Sequence, residues 1–219
     1  MQQTRLQMIK RIFESALGLF IFAIGVYLTI QANIGLAPWD CLSMGISART
    51  GYSYGFVHTT LSFIILIVDI LMKEKIGYGT LLDAMLVGNY VDFIARFELL
   101  KVSESLPFSI LLVVIGLFIM GYGVYFYMKA GLSCGPRDSL LIALGKRFPR
   151  TPIGVVQTVM VAVVLLIGWL LGGPVGIGTI LSVFGLGTAL QIVCKIFRFE
   201  PRDVVHQNLM ETSRLLFKR

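Results

Sequence analysis

The first half of this chain recurs in its second half. The 219-residue sequence matches itself when it is shifted by 98 residues, and by 99 after one inserted residue. The matched positions include Gly18 with Gly116, Gly25 with Gly123, Pro38 with Pro136, Asp40 with Asp138, Gly55 with Gly154, Thr59 with Thr158 and Gly88 with Gly187. The sequence therefore predicts two copies of one structural unit, the first at 12–97 and the second at 108–197.

Long apolar stretches predict that both copies lie in a membrane. The chain is 56% hydrophobic and 14% charged, whereas soluble domains carry about 25% charged residues. A membrane-spanning helix needs about 20 apolar residues, and we interpret six stretches in this way: 12–32, 54–72, 79–97, 108–128, 153–172 and 177–197. We expect an all-α membrane protein with one transmembrane domain over residues 1–219. The first stretch is too long for a cleaved signal peptide, and no small-residue cleavage site follows it.

Three spans in each copy predict an inverted repeat. An odd number of spans places the second copy upside down relative to the first. Inverted repeats are the ground plan of many transporters, whose binding sites lie where the two copies meet.

The basic residues predict the orientation. The net charge is +7, and with the N-terminus in the cytoplasm only Arg49, Arg96 and Lys101 lie outside. This is the positive-inside bias of a protein with both termini in the cytoplasm. The charge is therefore expected to meet anionic lipid rather than nucleic acid. The segment 198–219 is expected to form an amphipathic helix on the inner leaflet.

Each copy is predicted to contain a short helix after its first span. Glycine and proline break the chain before Trp39-Asp40 and before Arg137-Asp138. Twelve helical residues reach about 18 Å, which is roughly half of a 30 Å hydrocarbon core. The two helices either re-enter the membrane from opposite sides and meet near its middle, or lie flat on opposite surfaces.

The first turns of these short helices carry the strongest site candidates. Asp40 and Asp138 either stabilise the helix starts through the helix dipole or bind a cation or proton. Arg137, at the position that Trp39 occupies in the first copy, has three interpretations. It pairs with an acid, binds an anionic group of a substrate, or lies at the inner interface as a topology signal.

Further candidates lie within the predicted spans. Intramembrane polar residues are functional candidates by default, although bridging between helices is an alternative for them. Asp92 lies one helical turn from Asn89. The repeat matches Asp92 with Gln191 and His58 with Gln157, and these residues complete the set of candidates. Cys41, Cys134 and Cys194 do not have the spacing of a metal site. We expect no metal, no cofactor and no catalytic residue.

The chain resembles a known group of bacterial membrane proteins. The segments Gly35-Leu36-Ala37-Pro38-Trp39-Asp40 and Gly135-Pro136-Arg137-Asp138, in this six-span setting, are similar to the YczE/YyaS/YitT group and most of all to its YczE-like branch. The resemblance covers almost the whole chain. It implies a multi-pass protein of the bacterial cytoplasmic membrane, and it assigns no substrate and no site residue.

Two classes of function follow. The inverted repeat and the broken helices favour a transporter or channel for an unknown small solute or ion, with its site at the repeat interface. The alternative is a non-transporting accessory or scaffold protein for another enzyme or pathway. An enzyme is not expected, because the sequence has no nucleophile–base pair and no phosphate-binding glycine loop. A water-accessible site at the Pro-X-Asp segments would favour transport. The oligomeric state is left open, including a homo-oligomer.

Overall fold

The described part of the chain folds into eight α-helices. A computed structural model describes residues 5–74, 76–132 and 135–200. The helices are α1 (Arg5–Ala32), α2 (Pro38–Thr50), α3 (Tyr54–Leu71), α4 (Tyr78–Ala95), α5 (Leu106–Ala130), α6 (Pro136–Arg147), α7 (Ile153–Leu170) and α8 (Ile177–Ile196). The segment 201–219, which holds most of the predicted amphipathic tail, lies outside the described residues.

Local sequence sets the ends of the short helices. Pro38 opens α2, where its missing N–H and fixed φ fit the first turn. Gly51 closes α2 with a φ of 76°, and its N–H donates to the carbonyl oxygen of Ser47. Pro136 opens α6 in the same way. Both short helices occur within a few residues of the predicted positions, because proline and glycine act locally.

Glycines bring α1 and α5 together as the central helix pair. Gly18 of α1 lies against Gly123 of α5, and Gly25 lies against Gly116, so that a methyl group on any of the four would collide with the facing helix. Small residues allow this close approach between membrane helices. The largest cluster of buried apolar side chains surrounds this pair.

The other helices flank the central pair. Helix α4 packs on α1, α8 packs on α5, and α3 packs on α4. The short helix α2 lies against α7 and α3, and α6 lies against α3, α7 and α4. The first residues of α2, from Pro38 to Ser43, are buried apart from Trp39. Helix α2 therefore begins inside the protein and does not lie flat on its surface.

Five of the described helices are long and apolar enough to cross a membrane: α1 from Leu6, α3, α5, α7 and α8. Large apolar side chains such as Leu71, Trp169 and Phe184 are exposed on these helices, as expected for faces that contact lipid. Six spans were predicted. The remaining one, α4, carries Asp83 and Asp92 within its 18 residues, and its crossing of the membrane stays a prediction.

Candidate functional site

The first turns of α2 and α6 meet in a pair of opposite charges. Nη1 of Arg137 lies 3.6 Å from Oδ1 of Asp40. Asp40 is 3% exposed, whereas the Arg137 side chain keeps 25% of its surface accessible. A lone buried charge is costly, so each of these groups offsets part of the cost of burying the other. Of the three interpretations of Arg137, the structure shows pairing with an acid.

Two aromatic residues complete this pair. The hydroxyl group of Tyr54, the first residue of α3, donates a 2.9 Å hydrogen bond to Oδ1 of Asp40. The guanidinium carbon of Arg137 lies 5.3 Å from the centre of the Trp39 ring, which is within the range of a cation–π contact. The carboxylate thus has two partners and the guanidinium has an anion and a ring. We call Trp39, Asp40, Tyr54 and Arg137 the central cluster.

Further acids lie on the α6 side of the central cluster. Asp138 follows Arg137 in the first turn of α6 and is exposed. Asp83 of α4 is half-buried, and a methyl group placed on Gly135 would lie 2.8 Å from its Oδ2 atom. Asp83 and Asp138 are both close enough to Arg137 to interact with its charge. Among the described residues only Asp40 lies within ion-pair distance of the guanidinium, and the charges of Asp83 and Asp138 act on it from farther away. No three metal-ligating side chains of the described residues are placed to hold a metal ion.

Asp92 and Asn89 do not pair with each other. The N–H of Gly55, at the start of α3, donates a 2.8 Å hydrogen bond to Oδ1 of Asp92. The side-chain amide of Asn89 instead donates to the carbonyl oxygen of Met85 in its own helix. Asp92 therefore satisfies one of the free amides that every helix start leaves, and it holds α4 against α3.

His58 is buried beside the central cluster, while its counterpart in the second half is exposed. The imidazole ring is 2% exposed and lies 5.6 Å from the Tyr54 ring. Its Nδ1 atom has no hydrogen-bond partner among the described residues. Gln157 on α7 and Gln191 on α8 are exposed, so the structure does not bring them to the cluster.

Two surface grooves lie away from the central cluster. One of about 360 Å³ between α5 and α8 is apolar and is lined by residues such as Leu117 and Phe184. The other, of about 430 Å³, is lined by residues such as Asn33 and Ser103. At the cluster itself, Arg137 keeps part of its side chain accessible, and the adjoining Asp138 is exposed.

Comparison with known proteins places the chain in a family. Residues 9–195 match the model of a family of unknown function (DUF6198). The chain belongs to this family. A Bacillus subtilis relative, the uncharacterized membrane protein YczE, is 32% identical over 80% of each chain. The match confirms the resemblance drawn from the Pro-X-Asp segments, and the relative's name supports a membrane protein.

Two further relatives cover similar lengths. An uncharacterized protein of Haemophilus influenzae is 31% identical over 84% of this chain and 83% of its own. The uncharacterized protein YyaS of Bacillus subtilis is 30% identical over 82% of this chain and 90% of its own. No solved structure matches the chain.

Tyr54 is the member of the central cluster that the sequence did not indicate. Its counterpart in the second copy is Ile153, so the repeat does not mark it. The one available signal is its position: it opens α3, and only three residues separate it from the end of α2. A residue there is close to the start of α2 only if the two helices fold back on each other.

Proposed function

We propose that the protein is a transporter for a small solute or ion, and that its binding site is the central cluster. The observation that carries this proposal is the buried pair of Asp40 and Arg137 where two short helices begin. A buried ion pair adds little stability compared with apolar side chains of similar size. Charged residues inside a membrane protein commonly mark a path or site for a substrate or ion. The accessible part of Arg137 gives a solute a way to reach the pair.

The pattern of helix packing supports the inverted repeat on which this proposal rests. The sequence matches α1 with α5, α2 with α6, α3 with α7 and α4 with α8. Under this exchange the contact of α1 with α4 becomes that of α5 with α8, and the contact of α2 with α7 becomes that of α6 with α3. Both members of each pair of contacts are present. On this view α4 crosses the membrane as α8 does, which makes six spans.

Two contacts lack a counterpart: that of α4 with α6, which would match α8 with α2, and that of α3 with α4. Helices α3 and α4 pack closely, and a methyl group on Gly55 or Gly88 would collide with the carbonyl oxygen of the other glycine. Helices α7 and α8 have no comparable contact. A methyl group on Gly154 or Gly187, the matching residues, would meet no described atom within 4 Å. The two halves of the protein therefore differ at equivalent helix pairs.

This difference fits alternating access, in which equivalent elements of two inverted repeats open and close in turn. Gly55 lies at the start of α3 and Gly154 at the start of α7. These ends point to opposite sides of the membrane in an inverted repeat. With the N-terminus in the cytoplasm, the packed end faces outward and the separated end faces the cytoplasm. The second state is one in which α7 and α8 close while α3 and α4 separate.

A scaffold remains the second candidate function, and the same surface favours it. Gln157, Thr158 and Gln191 are exposed on apolar helices next to the unpacked glycines. Polar groups that face lipid are costly, and a helix of a partner protein could cover them. Transport requires α8 of the same molecule to cover this face of α7. A scaffold requires a helix of another chain to cover it.

The test of transport begins with a ligand. Purified protein is screened against metabolites and ions by thermal shift, since a ligand that binds the folded state raises its melting temperature. Flux of each hit is then measured in liposomes for wild type, Asp40→Asn and Asp138→Asn. The exposed acid Glu98 supplies the matched control, Glu98→Gln. We expect the control to transport normally and each aspartate variant to lose flux while remaining folded. Full flux in both aspartate variants would contradict the site.

A further inference from the structure

One face of α3 is polar and buried along most of its length. Tyr54, His58, Ser62 and Asp69 are separated by four, four and seven residues, so they project within about 80° of one another at 100° per residue. They are 7%, 2%, 1% and 0% exposed, respectively. We call these four residues the α3 polar face. An apolar helix gains no packing advantage from such side chains, so their alignment needs another explanation.

Two of these side chains have unsatisfied polar atoms. Nδ1 of His58 and both carboxyl oxygens of Asp69 are buried without a hydrogen-bond partner among the described residues. A charged carboxylate that is buried without a partner is strongly unfavourable, and such a group commonly takes up a proton rather than remain charged. The unpartnered atoms are therefore positions at which a proton can be accepted.

The α3 polar face starts at the central cluster. Tyr54 donates its hydroxyl hydrogen to Asp40, and the ring of His58 lies next to that of Tyr54. Arg137 of α6 is close enough to act on the charge of His58. The charges of His58 and Arg137 are therefore linked, because a proton on the buried His58 ring would lie beside a second positive charge.

The other end of this face lies next to the protein surface. The backbone carbonyl oxygen of Asp69 accepts a 2.9 Å hydrogen bond from the N–H of Glu74. The Glu74 carboxylate binds Nζ of Lys146 at 2.7 Å, and the Lys146 side chain is 64% exposed. Glu74, its partner Lys146 and Lys73, which follows Asp69 by four residues, are thus charged groups at this end of the face. From Tyr54 to Asp69 the helix rises about 22 Å, at 1.5 Å per residue.

The matching helix lacks these groups. The positions on α7 that correspond to the four residues are Ile153, Gln157, Val161 and Gly168. None of them titrates, and one is glycine. Packing of the shared helix arrangement therefore does not require a titratable face on α3.

We propose that the α3 polar face is a proton path that couples the central cluster to the surface at Glu74 and Lys146. In the resting protein the buried carboxyl group of Asp69 holds a proton taken from water, and it takes up another after passing this proton on. Ser62 lies two turns away, so the proton crosses this stretch on water that enters between the helices. It then passes through the Ser62 hydroxyl, the His58 imidazole and the Tyr54 hydroxyl to Asp40. The protonated, neutral Asp40 no longer attracts Arg137, and this frees the cluster for its substrate. This inference rests on the proposed transport and names its coupling ion.

The first test needs no substrate. Infrared spectra of the purified protein at neutral pH are compared between wild type and Asp69→Asn, with Glu98→Gln as the control for an exposed acid. The proposal predicts that only Asp69→Asn loses a C=O stretching band of a protonated carboxyl group. Identical bands in wild type and Asp69→Asn would show that the carboxyl group is charged, and would overturn the proposal.

The second test measures proton movement. Wild type, Asp69→Asn and His58→Gln are placed in liposomes that contain a pH-sensitive dye, and a potassium diffusion potential drives protons inward. His58→Gln keeps an uncharged polar side chain at this position, as α7 does at the matching one, and melting temperatures verify that the variant folds. We expect both variants to lower the proton uptake rate at least fivefold. Equal rates in all three proteins, including no uptake in any, would overturn the path.

Failure of the path and failure of transport give different results. If the path is wrong but transport is right, the solute identified by thermal shift enters wild-type liposomes at a rate that a pH gradient does not change. If transport is wrong, no solute enters wild-type liposomes faster than liposomes without protein. Solute entry that the pH gradient accelerates in wild type and not in Asp69→Asn supports both.

Discussion

Alanine at two equivalent glycines should have different effects on stability. Gly88 of α4 and Gly187 of α8 are matched in the repeat. A methyl group on Gly88 would collide with the carbonyl oxygen of Gly55 and would lie 2.8 Å from Oγ1 of Thr59, whereas one on Gly187 has no described neighbour within 4 Å. We therefore expect Gly88→Ala to destabilise the protein and Gly187→Ala to be neutral or stabilising.

The expected difference in stability between the two variants equals the cost of overpacking at Gly88. Alanine favours a helix over glycine by about 1 kcal/mol, and this gain is common to both variants. It cancels in their difference, which leaves the cost of overpacking at Gly88. Extra atoms in a well-packed interior cost about 1–3 kcal/mol. For a chain of this size each kcal/mol corresponds to roughly 2–4 °C in melting temperature.

The assay is thermal unfolding in detergent, with Gly55→Ala and Gly154→Ala as a second matched pair. In the first copy the methyl group on Gly55 also meets Cγ of Asp92 at 2.5 Å. We expect both first-copy variants to melt lower than their second-copy counterparts. Equal melting temperatures within each pair would refute the claim that α3–α4 and α7–α8 differ in packing.

Two more predictions address the central cluster and the orientation. Tyr54→Phe removes only the hydroxyl group that binds Asp40, and hydrogen bonds to charged groups contribute about 1.5–3 kcal/mol; we expect a lower melting temperature than for the exposed control Tyr52→Phe, and equal values would contradict the role of this bond. Reporter fusions at Gly51 and Arg219 should report the outside and the cytoplasm, respectively, because of the distribution of basic residues. Both reporters on one side would refute the predicted topology.

Local signals in the sequence predicted the short helices well, and the glycines matched in the repeat lie at the contact of α1 with α5. Pro38 and Gly51 act within one turn, so the ends of α2 follow from them directly. Gly18 and Gly123 recur in the repeat and lie where two helices approach. Both features depend on the residue itself and on its immediate neighbours, which the sequence contains.

The partners of charged groups were harder to predict, because they depend on how distant helices meet. The sequence left Arg137 with three interpretations and placed Asp92 within reach of Asn89. In the structure Asp92 instead accepts a hydrogen bond from the N–H of Gly55. The first N–H groups of a helix have no partner within that helix, so they are available to a side chain of another helix. The matched repeats also suggested equal packing in both halves. They could not predict that one equivalent pair of helices is packed and the other is separated.

Cross-linking of α7 to α8 tests the proposed alternating access most directly. Gly154→Cys and Gly187→Cys are combined after Cys41, Cys134 and Cys194 are replaced by alanine, and the protein is treated with an oxidant in membranes. Both sites have room for a side chain. The account predicts a disulfide within one molecule, formed when α7 and α8 close as α3 and α4 do, and absent from each single-cysteine variant. Cross-links that form only between two molecules would support an interface between copies and would contradict alternating access. The absence of any cross-link would contradict it as well.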